Sequence, residues 1–295
     1  MDNKEIHQAG RMREYLSFCI HLRWHYQVGI LSGGFLLGGL LSGVDAPGDF
    51  FYHFLVIHLL LFGGATVYNS YWDRDEGPIG GLRHPPPLAH WTRPASILLQ
   101  FTGLILSIPA GPVYLLFYLI SMLLFWLYSH PVYRWKGHPV LSLIAIGVST
   151  GTNPLVFGFL SAGSSWDPVI LIPAVGVAFV MLSLYPVSQV YQLSEDERRG
   201  DRTFAVAFGR RAVYHFFLLS YVTGIILVTF GFYIFQPWLV AVFPAVAVLA
   251  GSAAALLLRS LKGDPDEYRT VMRVKYTMSL MFVLFLVMAM VIHHY

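Results

Sequence analysis

All nineteen Lys and Arg residues of this 295-residue chain fall on one side of a bilayer once its apolar stretches are taken as membrane spans. Nine stretches approach the roughly 20 residues needed to cross the hydrocarbon core: residues 24–44, 50–71, 95–111, 112–128, 139–162, 168–191, 212–235, 237–258 and 276–292. Lys4, Arg11, Arg13 and Arg23 precede the first. Arg74, Arg83 and Arg93 follow the second, Arg134 and Lys136 the fourth, and Arg198, Arg199, Arg202, Arg210 and Arg211 the sixth. Arg259, Lys262, Arg269, Arg273 and Lys275 follow the eighth. The opposite side carries only Asp45, Asp49 and Asp167. The excess of basic residues in cytoplasmic loops then puts the N-terminus and four loops in the cytoplasm and the C-terminus outside. Missing or splitting a span would scatter basic residues to both sides, so the partition also tests the count.

An ordinary soluble domain is excluded, since 56% of the residues are hydrophobic and only 12% are charged. The expected fold class is all-α, a multi-pass membrane protein with nine transmembrane helices around a central cavity. No linker or composition shift divides the sequence, so residues 1–295 read as one intramembrane unit. The net charge of +3 reports topology, and no nucleic-acid partner is inferred from it. The first apolar run is too long for a signal peptide and lacks a small-residue cleavage site, so it is expected to be retained. Cys19, the only cysteine, lies in a segment, residues 15–25, that suits the cytoplasmic interface, and a packed thiol is the expectation there.

Seven of the sixteen acids sit in the loops after spans two and six: Asp73, Asp75, Glu76, Glu195, Asp196, Glu197 and Asp201. Asn69 and Asp73 are four apart and share one helix face, with Glu76 one turn further, before a Gly77-Pro78 stop. Gln192, Glu195 and Asp196 repeat that face at the end of span six. Oxygen donors without His or Cys suit a hard cation, and Mg²⁺ favours a few carboxylates completed by waters and ligand phosphates. Interleaved arginines would meet the remaining phosphate charge. Surface acids and arginines that merely pair with one another are the ordinary alternative for either loop alone. Two matching loops favour a diphosphate site at a membrane surface.

At these residues the chain resembles the UbiA superfamily of intramembrane prenyltransferases, which carry an Asn-Asp-x-x-Asp-x-x-x-Asp motif after helix two and an Asp-x-x-x-Asp motif after helix six. The run from Tyr128-Ser129 through Pro131 to Lys136-Gly137 is similar to the family's Tyr-Ser-x-Pro loop. The segment from Gly200 through Thr203 to Gly209 is similar to its Gly-x-x-Thr-Leu-x-Val-x-x-Gly stretch, and Arg23 stands where the family often has an arginine. The departures are specific. Ser70 and Gly77 replace two aspartates of the first motif, and Gln192 replaces the first aspartate of the second.

The resemblance implies an enzyme that ionises an allylic polyprenyl diphosphate with Mg²⁺ and transfers the prenyl group to a lipophilic acceptor, an aromatic quinone precursor being favoured. Asp73 and Asp196 would be catalytic, and Mg²⁺ would be held by Asn69, Asp73, Asp75, Glu76, Gln192 and Asp196. Arg23, Tyr128, Ser129 and Lys136 would bind diphosphate, with Arg83 and Arg202 in support. Asn153, Tyr68, Trp72 and Tyr191 are candidates for the acceptor or prenyl pocket. For Asn153 an interhelical hydrogen bond is the equal alternative, and Gln27 and Gln189 are weaker cases of the same kind. His53 and His58, five apart, share no helix face, so a haem or metal site is not expected, and His293-His294-Tyr295 suits interfacial anchoring. The active site is expected to face the cytoplasm of a bacterial or archaeal membrane. Two other readings stay open: a membrane terpene cyclase on the same scaffold, and a non-catalytic isoprenoid binder or transporter.

Overall fold

The computed structural model describes residues 3–75 and 77–294. Helix α1 (Asn3–Leu22) is amphipathic, with Met12, Tyr15, Leu16 and Ile20 exposed. Cys19 is exposed on it as well, in contrast to the packed thiol expected, because it shares the exposed face with Tyr15 and Leu16, opposite the buried Ser17 and His21. Arg23, in the left-handed region at φ 50°, breaks α1 from α2, residues 24–42. There follow α3 (Pro47–Asp73), α4 (Thr92–Leu106), α5 (Pro112–Ser129), α6 (Leu141–Ser161), α7 (Pro168–Arg199), α8 (Phe204–Phe235), α9 (Val242–Leu258) and α10 (Pro265–His293). No strand element occurs among the described residues.

Six of these helices, α3, α5, α6, α7, α8 and α10, are long and apolar enough to cross a membrane, and α9 is a shorter apolar helix. The other two expected spans fall on α2 and α4. Helix bounds and apolar bounds differ for a plain reason: backbone hydrogen bonding continues through charged turns that lie beyond the hydrocarbon layer. Thus α7 runs eight residues past the apolar run expected to end at 191, whereas on α8 the non-helical Gly209 (φ 78°) sets a short helical piece, residues 204–208, apart from the long helix that holds the apolar run expected at 212. Conversely, α3 stops at Asp73, where Arg74 turns left-handed (φ 48°), ahead of the Gly77-Pro78 stop.

Helices in lipid gain nothing from expelling water between them, so close approach and polar satisfaction carry the packing. The α2–α6 pair meets through Gly38 and Gly158: a Cβ on Gly38 would fall 2.0 Å from Leu155 O, and one on Gly158 would fall 1.9 Å from Phe35 O. Neither position has room for a methyl group. Buried polar groups are paired between helices. Tyr118 on α5 donates to Gln100 O on α4 (2.7 Å), Trp126 donates to Gln100 Oε1 (3.2 Å), and Tyr221 on α8 donates to Ala247 O on α9 (2.8 Å). His53 and His58, both buried in α3, each hydrogen-bond through Nδ1 to the carbonyl four residues back on the same helix, at 2.9 and 2.8 Å.

Three helices carry a wide π-helical stretch: residues 27–31 of α2, 56–62 of α3 and 147–152 of α6. Each stretch contributes to the wall of one cavity, through Gln27, Ile30 and Leu31, through Phe62, and through Thr150. Such widened turns are frequent at functional sites because they redirect side chains without ending the helix.

Candidate active site

The ends of α3, α5 and α7 and the start of α2 surround a cavity of about 240 Å³, closed on a further side by α10. Asn69, Asp73 and Asp75 reach it from α3 and its loop. Gln192, Glu195, Asp196 and Arg199 reach it from α7, and Tyr128, Ser129 and Lys136 from α5 and the loop beyond. Both acidic helix ends therefore face one space. Asp73 reaches it because α3 runs intact to that residue, which lets the Asn69 amide donate to Asp73 Oδ2 (2.8 Å) and to Ser129 Oγ (3.3 Å). On α7, Pro186 gives way to a tighter 3₁₀ stretch (Pro186–Gln192) before the last α-turns. Gln192 there donates to Pro78 O (3.1 Å), linking the two acidic loops.

The carboxylates are drawn onto cations. Lys136 pairs with Asp73, Arg199 bridges Asp75 and Glu195 at 2.7 Å each, and Arg134 holds Asp201 through two 2.7 Å contacts. Asp196 accepts from Thr203 Oγ1 (3.1 Å). The Asp201 carboxylate, hydrogen-bonded to it, holds the Arg134 guanidinium above its ordinary range. Among the described residues no three acidic, His or Cys groups converge on a common point. The donor chemistry nevertheless fits a hard cation: carboxylate and amide oxygens only, lining one cavity. The Arg199 contacts engage Oδ1 of Asp75 and Oε1 of Glu195, one oxygen of each carboxylate.

Two buried cations lack an acidic partner among the described residues. Arg23, 7% exposed, donates to Gly80 O (3.0 Å) and to Ser70 Oγ (2.6 Å), and its Nε is buried without a partner. Lys275 on α10, also 7% exposed, donates to Tyr26 OH (3.1 Å) and lies over that ring. Both line the cavity. A buried cation held only by neutral oxygens is costly unless an anion completes its surroundings.

The remaining candidates are dispersed. Tyr191 lines the cavity, as do Gln27 and Gln189. Asn153 does not: it is 1% exposed and donates from α6 to Ser121 Oγ (2.8 Å) and Phe117 O (3.2 Å) of α5, an interhelical bond. Tyr68 and Trp72 are turned away from the cavity. Tyr68 packs on Trp126, and Trp72 on His130 and under Arg93. Arg83 lines a separate cleft with His84, Asp266 and Arg269, and Arg202 is exposed. Glu76 lies outside the described residues. Glu195 and Asp201, named among the loop acids but given no role of their own, line the cavity, as do Arg199, Tyr185, Tyr26 and Lys275, which the sequence alone did not assign to the site. Arg199 stands four residues after Glu195, and Lys275 is the last charge before the ninth apolar run, so both carried a readable signal.

A second, almost wholly apolar cavity of about 90 Å³ lies deeper between α2, α7, α8, α9 and α10, and it shares Ile30, Met181, Leu184 and Ser279 with the first. A charged chamber backed by an apolar cleft suits a molecule with an anionic head and a hydrocarbon tail.

Residues 31–286 match the model of the UbiA prenyltransferase family. The chain belongs to that family. A digeranylgeranylglyceryl phosphate synthase of Sulfolobus acidocaldarius is 28% identical over 186 residues, covering 61% of this chain and 64% of that relative's length. A chloroplastic 2-acylphloroglucinol 4-prenyltransferase of Humulus lupulus is 27% identical over 131 residues, covering 41% and 32%. In fold, the chain is similar to a UbiA homologue from Archaeoglobus fulgidus bound to DMAPP and Mg²⁺, with a TM-score of 0.70 at 16% identity over 92% of this chain and 98% of that one. The UbiA family is thus carried here on an all-helical integral membrane scaffold, with variant acidic motifs facing one cavity.

Proposed function

We propose that this chain is a Mg²⁺-dependent prenyltransferase that moves a polyprenyl group from an allylic diphosphate to a lipophilic acceptor at the membrane. One observation carries the reading: carboxylates from two helix ends and two buried cations without an acidic partner among the described residues line a single chamber that opens toward an apolar cleft. The whole chain is read as one unit of nine spans, with N-terminus and acidic loops in the cytoplasm and C-terminus outside. The one-sided distribution of basic residues supports that orientation.

In this reading Asn69, Asp73, Asp75, Gln192 and Asp196 hold Mg²⁺, which when bound neutralises charge on the departing diphosphate. Arg23, Lys136, Tyr128 and Ser129 bind the diphosphate oxygens, and Lys275 joins them. For Lys136 to do so, its contact with Asp73 loosens in favour of the ligand, a short exchange between two anions. The chain's own contribution is to fix these donors before the substrate arrives, so that little reorganisation accompanies C–O cleavage. Tyr128 and Tyr185, joined OH to OH at 3.0 Å, and Tyr191 give the chamber electron-rich walls for the allylic cation. The apolar cleft excludes water from it.

An aromatic acceptor of quinone-precursor type remains the first choice. A glyceryl phosphate lipid is the second, because relatives matched over most of this chain are named digeranylgeranylglyceryl phosphate synthases. The test is Mg²⁺-dependent diphosphate release by purified protein in nanodiscs, across geranyl and longer prenyl diphosphates, with each acceptor class and with none. Release that requires an acceptor and vanishes in Asp73→Asn and Asp196→Asn supports transfer. Release without acceptor, with cyclic hydrocarbon products, would instead make the chain a cyclase. No release by folded wild-type protein would leave a non-catalytic isoprenoid binder.

A further inference from the structure

The carboxylate missing at position 77 has a replacement in space. A Cβ atom built on Gly77 would stand 2.7 Å from Glu195 Oε2 and 3.7 Å from the Glu195 carboxyl carbon. Position 77 therefore admits no side chain while Glu195 keeps its place, and the volume an aspartate would enter already holds a carboxylate. Glu195 is fixed there from two directions. It stands on the last turns of α7, whose Gln192 is bonded to Pro78 O (3.1 Å), and its Oε1 meets Arg199, which also holds Asp75 at 2.7 Å. Glu195 lines the chamber and its side chain is 15% exposed.

Acids clustered at helix ends do not by themselves make a site. Here the same chamber holds Arg23 and Lys275, both buried, neither with an acidic partner among the described residues, and Arg23 Nε is unpartnered. The chamber is built to receive an anion, and an anion that arrives with a divalent cation needs carboxylates beside it.

We propose that Glu195, from the second acidic loop, supplies the metal-holding carboxylate that the first loop lacks at Gly77, and that Gly77 is kept bare to admit it. The ligand is a divalent cation–diphosphate, an identity that rests on the prenyltransferase reading above. The substitution of Gly77 and the presence of Glu195 are then one exchange, in which a ligand has passed from one loop to the other with little change in its position.

The test is binding of Mn²⁺ with inorganic pyrophosphate to the purified full-length chain in nanodiscs, read by the Mn²⁺ paramagnetic resonance signal, alongside prenyl diphosphate turnover. Glu195→Gln is expected to weaken Mn²⁺ binding at least tenfold, whereas Glu197→Gln, on the exposed side of the same helix, changes it less than twofold. Gly77→Asp, with Glu195 retained, is expected to lose a similar factor because two carboxylates then compete for one volume. Gly77→Asp combined with Glu195→Ala should recover binding to within threefold of wild type, where Glu195→Ala alone does not. That recovery also separates a ligand role from a folding defect. Wild-type binding in Glu195→Gln, or a double variant no better than Glu195→Ala, overturns the inference. If wild-type protein binds Mn²⁺–pyrophosphate yet releases no diphosphate from any prenyl substrate, the transferase reading falls while the Glu195 comparison still decides this one. If wild type does not bind the probe, both fall.

Discussion

Lys136 and Asp73 form an ion pair that ties the loop between α5 and α6 to the last residue of α3, with the two side chains only 12% and 5% exposed. The pair joins a residue proposed for the diphosphate to one proposed for the metal. In the absence of either ligand they neutralise one another, which offsets the cost of burying each charge. Asp73→Asn removes one partner and leaves the ammonium buried, so the variant is expected to lose stability, by about 1–3 kcal/mol. Lys136→Met in the same background should restore much of that loss, since two neutral groups then share the space. Turnover should not return: each single variant and the double variant are expected to stay ~100-fold or more below wild type. Thermal melts beside diphosphate release check this. A double variant that regains turnover together with stability would show that the pair is structural only.

Lys275 gives a second prediction, because no motif points to it. It approaches the chamber from α10, far along the chain from either acidic loop, and bonds to Tyr26 OH rather than to an acid. If it binds diphosphate, Lys275→Met should raise KM for the prenyl diphosphate roughly ten- to a hundredfold, the worth of a charge-assisted contact of about 1.5–3 kcal/mol, and Lys275→Arg should keep most of the affinity. Tyr26→Phe removes only the hydroxyl that positions the ammonium and should cost less than Lys275→Met. Equal KM in wild type and Lys275→Met would remove this residue from the site.

Gly137 and Asp201 make a third case. A Cβ on Gly137 would lie 2.6 Å from Asp201 Oδ1, the oxygen that accepts from Arg134 Nε. The backbone N–H of Arg202 also donates to Gly137 O (2.9 Å). Gly137→Ala should therefore displace Asp201 and break the Arg134 pair, at a cost close to that of Asp201→Asn. The expected loss is roughly 1–2 kcal/mol for either, less than for a fully buried pair because Arg134 is 29% exposed. In a double-mutant cycle the two losses should not add, and additive melting shifts would mean that Gly137 acts elsewhere.

The all-helical scaffold and the two acidic helix ends that face one cavity were legible in the sequence because each rests on a local pattern. Apolar length located the helices, and a spacing of four put Asn69 and Asp73 on one face. What was not legible depends on how helices rotate about their axes. Asn153 is polar, mid-helix and beside a proline in both of its possible roles, and only the turn of α6 toward Ser121 on α5 separates an interhelical bond from a cavity wall. Tyr68 and Trp72 adjoin Asn69 and Asp73 in sequence, but a helix places immediate neighbours on other faces, and they pack on Trp126 and His130. Lys275 signals only that a charge ends before the ninth apolar run, and Glu195 only that it shares a face with Gln192 and Asp196; that the first enters the chamber from α10 and the second lies against Gly77 depends on tertiary approach. Helix ends also moved, since an apolar count stops at the first charge and hydrogen bonding does not.

The apolar cleft behind the chamber yields the last prediction. Ser279 on α10 lines both cavities, together with Ile30, Met181 and Leu184, so it stands where a prenyl chain leaving the charged chamber would pass. Beyond it the cleft runs between Phe243, Phe282 and Phe285, and a Cβ on Gly33 would already meet the Phe282 ring at 2.8 Å. The passage is therefore narrow, and a large side chain at position 279 should close it to long tails while leaving the head-group contacts intact. Ser279→Phe is expected to lower kcat/KM for a four-isoprene diphosphate at least tenfold relative to a two-isoprene one, within the 1–3 kcal/mol that steric discrimination in an apolar pocket can supply. Mn²⁺–pyrophosphate binding, which needs no tail, should stay at the wild-type level. Kinetics with both chain lengths decide the matter. Equal losses for the two substrates would mean that the tail leaves the chamber by another route, between helices that do not border this cleft.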